Sequence, residues 1–281
     1  MVSSPIRKII ESALAEDIGA GDITTQTTVN PKKKGRAVAV AKDDFVVAGI
    51  DVFEAAFRIL DQHIHVRKGI VDGCRVQKGT VIAEVEGSLS AILQAERVAL
   101  NFFQRMCGIA TQTAKYVEAV RGKKTTILDT RKTVPGLRIL DKMAVRLGGG
   151  ANHRFGLYDG VLIKDNHIEA AGGIKAAVEA QRKQVKSRRM KIEVETKNLK
   201  EVKEALQCGV DIIMLDNMTN SAMKKAVALI AGRALTEASG NVNLKRIQSI
   251  AATGVDFISI GELTHSVRAA DISLQVKAVG F

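Results

Sequence analysis

The stretch KIEVETKNLKEVKEALQCGVDIIMLDNM, residues 191–218, decides the fold. It holds a β-type run, Lys191 to Val194, a helical segment, Leu199 to Cys208, and a second β-type run, Asp211 to Leu215. Two nearly continuous apolar runs joined by a helix describe a parallel pair with a crossover, covered on both faces. The rhythm extends both ways. Upstream lie Thr125 to Leu128 and Gly160 to Ile163, and downstream lie Arg233 to Thr236 and Phe257 to Ile260. Helical segments over Ile168 to Lys186, Ser221 to Ile230 and Leu244 to Thr253 fit between them. Such alternation specifies an α/β fold with a parallel sheet, and six visible strands suit a (β/α) barrel. An open dinucleotide sheet is disfavoured, because no GxGxxG follows a strand and opens a helix.

Residues 1 to about 110 have another texture. A helix is expected over Pro5 to Asp17, where Ile6, Ile9, Ile10, Ala13 and Leu14 follow three-four spacing. A turn-rich GAGDITT follows from Gly19, then strands over Gly35 to Val40 and Phe45 to Gly49, and a helix over Asp51 to Leu60. DGCRVQKGTVIAEVEGS, from Asp72, reads as two short strands around a Lys78-Gly79 turn. Its outline is that of a lipoyl or biotinyl hammerhead, but no modifiable Lys sits at a hairpin tip, so it reads as β-sandwich packing. A helical stretch from Leu89 to Gly122 leads into the second part.

Composition narrows the function. The 281 residues are 46% apolar, with 42 Lys+Arg against 30 Asp+Glu, a formal charge of +12. That excludes bulk disorder and leaves room for a sizeable core. Three scattered cysteines, Cys74, Cys107 and Cys208, have no metal-ligand or disulfide spacing. The N-terminal stretch lacks a signal-peptide core, and no apolar run reaches membrane-spanning length. A soluble, cytoplasmic protein is expected, with no membrane partner. The basic charge invites a nucleic-acid reading, yet Trp is absent and the aromatic residues form no stacking pattern. Lys32 to Lys34 and Lys186 to Lys191 read as solvated loops, so no nucleic-acid partner is expected. Positive charge equally suits a small, highly anionic substrate.

The strand ends carry the signal. Asp129-Thr130-Arg131-Lys132 follows Leu128, Lys164-Asp165-Asn166-His167 follows Ile163, and Glu195 follows Val194. Asp216-Asn217 follows Leu215, Glu237-Ala238-Ser239-Gly240-Asn241 follows Thr236, and Gly261-Glu262 follows Ile260. One such charge is more often a helix cap than a catalyst. Six in succession mark the active face of a parallel barrel. Arg131, Lys132, His153, Arg154 and Lys164 form a cationic set suited to several carboxylates or phosphates. Glu195 and Asp216, on neighbouring strands, can hold phosphate-bound Mg²⁺, grip sugar hydroxyls or stabilise a developing cation. The alternative is that they merely balance the cations. Ser239-Gly240-Asn241 and Gly261, after the last two strands, suit a backbone phosphate site. His167 is placed to cap the helix near Ile168, and no Ser/His/Asp signature supports nucleophilic hydrolysis.

These residues sit in longer blocks. The blocks are EDIGAGDITT from Glu16, QAERVALNFFQRMCGIAT from Gln94 and ILDTRKTVPGLRILDKMAVRLGGGANHRFGLYDGVLIKDNH from Ile127. IEVET from Ile192, IIMLDNM from Ile212, EASGNVN from Glu237 and GVDFISIGELTHS from Gly254 continue them. The sequence closely resembles the quinolinate phosphoribosyltransferase family, essentially end to end. Molybdenum-associated relatives with the same fold depart at the segment LIKDNH, which is intact here.

The resemblance implies a type II phosphoribosyltransferase architecture: an N-terminal α/β sandwich, residues 1–110, and an incomplete, seven-stranded α/β barrel, residues 111–267. The segment 268–281 is expected to pack back on the sandwich. It implies transfer of phosphoribosyl from 5-phosphoribosyl-1-pyrophosphate to quinolinate with Mg²⁺, giving nicotinate mononucleotide, pyrophosphate and CO₂ in NAD biosynthesis. It also implies a homodimer, or a larger assembly such as a hexamer, with each active site completed by a neighbour. By motif, Arg131, His153, Arg154 and Lys164 contact the quinolinate carboxylates, with Arg97 donated by the neighbouring subunit. Lys132 lies near both substrates, Glu195 and Asp216 face ribose and metal, and Ser239, Gly240, Asn241 and Gly261 line the 5-phosphate pocket. Some members carry Ser-Gly-Gly where this chain has Ser239-Gly240-Asn241.

Overall fold

A computed structural model describes residues 2–185 and 190–278. The chain opens with helices α1 (Ser4–Ile18) and α2 (Ile23–Thr28). Strands β1 (Lys34–Ala41) and β2 (Phe45–Val46), helix α3 (Ile50–Leu60) and strands β3 (His65–Lys68), β4 (Arg75–Val76) and β5 (Val81–Ser88) follow. The long helix α4 (Leu89–Ala119) leads to β6 (Thr126–Leu128), α5 (Arg138–Leu147), β7 (Val161–Ile163), α6 (Asp165–Ala171) and α7 (Ile174–Val185). Next come β8 (Ile192–Thr196), α8 (Leu199–Gln207), β9 (Ile212–Asp216), α9 (Asn220–Ile230) and β10 (Leu235–Ser239). The chain closes with α10 (Ile247–Ala251), β11 (Phe257–Ser259), α11 (Glu262–His265) and β12 (Ile272–Ala278).

Two compact units result. The first joins Met1–Ala114, Thr133–Gly149 and Thr264–Phe281; the second joins Lys115–Lys132 and Gly150–Leu263. In the first, an antiparallel sheet runs β12-β1-β5-β3. The alternation of β1 sends Ala37, Ala39 and Ala41 into the core. Phe53 and Phe57 of α3 stack edge-on at 5.0 Å, and Phe53 meets Phe103 of α4 at 5.2 Å. Strand β12 pairs with β1 from Gly35↔Ala278 to Ala41↔Ile272, which ties the C-terminal segment to this unit.

One local expectation changes here, and the partners of other segments come into view. The GAGDITT turn contains a helix, α2, because the Asp22 carboxylate accepts from the Thr25 N–H at 2.9 Å and caps it. Strands β4 and β5 do not pair around Lys78-Gly79; β4 pairs with β2, while β5 pairs with β1 and β3. The turn is anchored elsewhere: the Lys78 N–H donates to Asp44 Oδ1 at 2.9 Å and the Gly79 N–H to the Ala41 carbonyl at 2.8 Å. Residues 133–149, expected in the stretch 111–267, group with the first unit. Arg105 of α4 grips Asp141 of α5 bidentately, at 2.9 and 2.8 Å, and Asp141 is fully buried. A Cβ at Gly148 would come within 2.5 Å of the Ala110 carbonyl oxygen, so only glycine lets that close approach form.

The second unit holds six parallel strands in the order β6-β11-β10-β9-β8-β7. A parallel bridge, Leu128↔Ala151, extends this sheet beyond β6. The seventh position expected of the barrel is thus this one bridge, and the described pairings leave the ring open between Ala151 and β7. The helix expected over Ile168 to Lys186 starts earlier, at Asp165, and is cut in two by Gly172 and Gly173, at φ 82° and 137°. Lys186 and its neighbours to residue 189 lie outside the described residues, so the solvated-loop expectation is met there only at Lys191, which is exposed. Among the described residues no helix is long and apolar enough to cross a membrane.

Candidate active site

Register places the polar residues on one interior face. Glu195 of β8 and Glu237 of β10 both lie opposite Met214 of β9, and Ser239 lies opposite Asp216. Side chains level with one another on parallel strands point the same way, so these form layers inside the sheet. Above them opens a cleft of about 450 Å³ lined by Arg131, Lys132, His153, Arg154, Lys164, Glu195, Asp216, Glu237, Ser239, Gly240 and Asn241, among others.

The cations come from the two edges of the open sheet. At one edge, Asp129, fully buried after β6, accepts from the His153 N–H at 2.8 Å and from Asn152 Nδ2 at 2.6 Å. The Ala151 N–H donates to the Ile127 carbonyl at 2.8 Å, so residues 151–154 form a corner fixed to the end of β6. Arg154 Nη1 donates to the Gly160 carbonyl at 3.0 Å. Burial, and then the nearby Arg131, press against the Arg154 charge, while Glu193 supports it. At the other edge, Lys164 caps α6, with its N–H donating to His167 Nδ1 at 3.0 Å. His167 is thus a capping residue inside the first turn. The Lys164 Nζ stands 3.9 Å from Glu195 Oε2.

The acids occupy the middle strands. Burial, and then the charge of Asp216, push the Glu195 carboxyl above its usual range, with Lys164 pulling it back. Two hard-oxygen carboxylates that repel one another across a cleft fit a divalent cation such as Mg²⁺. The loop after β10 completes the floor. Asn217, Gly240 and Asn241 all adopt left-handed backbone, at φ 53°, 84° and 49°. A Cβ on Gly240 would fall 2.2 Å from Asn217 Oδ1, so only glycine fits there. Asn241 Nδ2 donates to Asn217 Oδ1 at 3.2 Å, and Arg246 Nη1 donates to the Asn241 carbonyl at 2.8 Å. Asn tolerates the left-handed region better than other side chains, which is why it can stand beside Gly240.

All but two of the residues singled out by the sequence line this cleft. Arg97 is an exposed residue of α4 in the first unit, and Gly261 follows β11; neither lines it. Glu193 was not singled out, and Glu237 only as one residue of a strand end. They are 4% and 1% exposed, and both face His153. The signal for Glu193 was available, since Glu193 and Glu195 are two apart on one strand and so share its inner face.

Fold and site together define an α/β-barrel enzyme that binds a polyanionic substrate at the carboxyl ends of parallel strands. Residues 22–107 match the model of the quinolinate phosphoribosyl transferase N-terminal domain, and residues 109–275 match that of the C-terminal domain. A probable nicotinate-nucleotide pyrophosphorylase (carboxylating) of Bacillus subtilis is 42% identical over 271 residues, covering 96% of this chain and 93% of that protein. The chloroplastic nicotinate-nucleotide pyrophosphorylase (carboxylating) of Arabidopsis thaliana is 46% identical over 289 residues, covering 96% and 82%. The solved nicotinate-nucleotide pyrophosphorylase of Francisella tularensis superposes with a TM-score of 0.93 at 40% identity, covering 99% and 98%. The chain belongs to the quinolinate phosphoribosyltransferase family.

Proposed function

We propose that this protein transfers the phosphoribosyl group of 5-phosphoribosyl-1-pyrophosphate to quinolinate, releasing pyrophosphate and CO₂ and forming nicotinate mononucleotide. One observation carries the reading: charge sign is segregated around a single cleft, with cations from both sheet edges, acids from β8 and β9, and a glycine turn after β10. Arg131, Arg154 and Lys164 take the two carboxylates, and Lys132 lies where both substrates meet. The pyridine nitrogen attacks C1 of the ribose as the C1–O bond to pyrophosphate breaks. Positive charge grows on the sugar, and Glu195 and Asp216 stabilise it. Ser239, Gly240 and Asn241, which line the cleft, hold the 5-phosphate through backbone N–H groups, with Gly261, after β11, as a further contact. The C2–carboxylate bond then breaks, its electrons remaining on carbon beside a cationic ring nitrogen, and a proton replaces CO₂. Glu195 and Asp216 would hold Mg²⁺ against the substrate phosphates, where it neutralises the leaving group. Arg97, exposed on α4, completes the site of a second copy in a homodimer.

The test is product formation. Quinolinate should yield nicotinate mononucleotide only with phosphoribosyl pyrophosphate and Mg²⁺. Nicotinate, with one carboxylate missing, should fall by about 10⁴ in kcat/KM, because a cation enclosed by bound substrate loses its partner. Comparable turnover of both acids would overturn the assignment.

A further inference from the structure

His153 has protein groups at both ring nitrogens. Its Nδ1 accepts from the Arg154 N–H at 2.7 Å, so Nδ1 carries no proton. The ring proton therefore belongs to Nε2, which stands 3.1 Å from Glu193 Oε2 and 3.6 Å from Glu237 Oε2, near enough for charge attraction though hydrogen-bonded to neither. Both carboxyl groups are buried, Glu237 in the lining of the cleft, and neither Glu193 Oε1 nor Glu237 Oε1 has a hydrogen-bond partner among the described residues. A buried acid pair of this kind is destabilising in itself, and is retained where it serves a site.

We propose that Glu193 and Glu237 are positioning residues for the transfer reaction: their side-chain oxygens, facing Nε2 while Nδ1 accepts from the Arg154 N–H, hold His153 as the neutral Nε2–H tautomer. The inference rests on the proposed function, and it changes the role given to His153. The imidazole presents its ring to the pyridine substrate and does not donate an N–H to a substrate carboxylate. Through Nδ1 it fixes the backbone at Arg154, so the pair below sets where the Arg154 guanidinium enters the cleft. Burial, and then the neighbouring Glu193, push the Glu237 carboxyl far above its usual range, which keeps a proton on it. Its side chain also hydrogen-bonds Ser259 and Glu193.

The experiment is nitrogen NMR of histidine-labelled protein, with quinolinate kinetics on the same samples. Wild type should show His153 protonated at Nε2 alone at neutral pH. Glu193→Ala and Glu237→Ala should give mixed tautomers and raise the quinolinate KM about tenfold, with a smaller change in kcat. Glu237→Gln, an isostere of the protonated acid, should retain the tautomer and keep KM within about twofold. Thermal melts separate misfolding from these effects, and a folded Gln variant keeps the test decisive. Three results would overturn the proposal: an Nδ1–H tautomer in wild type, unchanged tautomer and KM in both Ala variants, or one equivalent of divalent metal at these three donors in the purified protein. The tautomer reading requires no turnover. If quinolinate is not a substrate but the tautomer responds as expected, only the proposed function fails.

Discussion

The site contains two acid pairs, Glu195 with Asp216 on β8 and β9 and Glu193 with Glu237 on β8 and β10, and their surroundings differ. Glu195 and Asp216 stand at the mouth, and Lys164 lies 3.9 Å from Glu195. Glu193 lies two residues back on β8, Glu237 is level with Glu195 but more deeply buried, and both face an imidazole. Near the rim a carboxylate keeps charge to spend on a developing cation or a metal. Where burial is deepest, desolvation pushes the Glu237 carboxyl above its usual range and disfavours its charge. Depth, not residue type, divides the roles.

Removing rim charge should have the largest effect. Glu195→Gln and Asp216→Asn should each lower kcat by on the order of 10² to 10³ while quinolinate binding and melting temperature barely move. Normal turnover at saturating substrate and Mg²⁺ would reduce that acid to a charge-balancing role, and the contrast with the buried pair would vanish.

A complementation experiment asks whether the cationic side is shared between copies. Arg97→Ala and Lys164→Ala should each be nearly inactive yet folded. Mixed under conditions of subunit exchange, they form heterodimers in which one site carries both lesions and the other none. Activity should return to roughly a quarter of wild type when half the dimers are mixed. Complete exchange, checked by mass spectrometry, with no recovery would remove Arg97 from any neighbour's site.

Gly240 links rim to phosphate loop. Gly240→Ala must place a Cβ against Asn217 in left-handed backbone, at φ 84°. It should cost about 1–3 kcal/mol of stability and weaken phosphoribosyl pyrophosphate more than quinolinate. Asn241→Gly, which keeps the left-handed conformation accessible, should be close to neutral in a denaturant melt.

A pH dependence is centred on Glu237. Folding raises the Glu237 pKa from its ordinary 4.5, so over the interval above that value the folded chain binds a proton the unfolded chain has released. Wild-type stability should therefore decline as pH rises through this interval. Glu237→Gln lacks the term, so its melting temperature should gain on wild type by about 2–4 °C per kcal/mol between pH 5 and 8. Parallel melting curves would show that Glu237 ionises normally.

Much of this was legible along the chain. Helix α1, strand β1 and the whole β8–α8–β9 unit follow from local periodicity, and the polar strand ends identify the face that bears the cleft. Local pattern failed where distant groups decide. Helix α5 went unassigned from sequence; its Asp141 is held by Arg105, 36 residues earlier. Strands β4 and β5 look like a hairpin until Asp44 and Ala41 claim the turn between them.

The sequence by itself determined the alternation of strand and helix, hence the parallel sheet, and the chemical inventory of its carboxyl ends. Those depend on side-chain period and on residue type, both readable within a few positions. Only the tertiary structure decided that Glu193 and Glu237 meet at His153, and that Gly240 must lie against Asn217. Such pairings depend on strand register and burial. A carboxylate's charge depends on the water and neighbours left to it once strands far apart in sequence have closed around it.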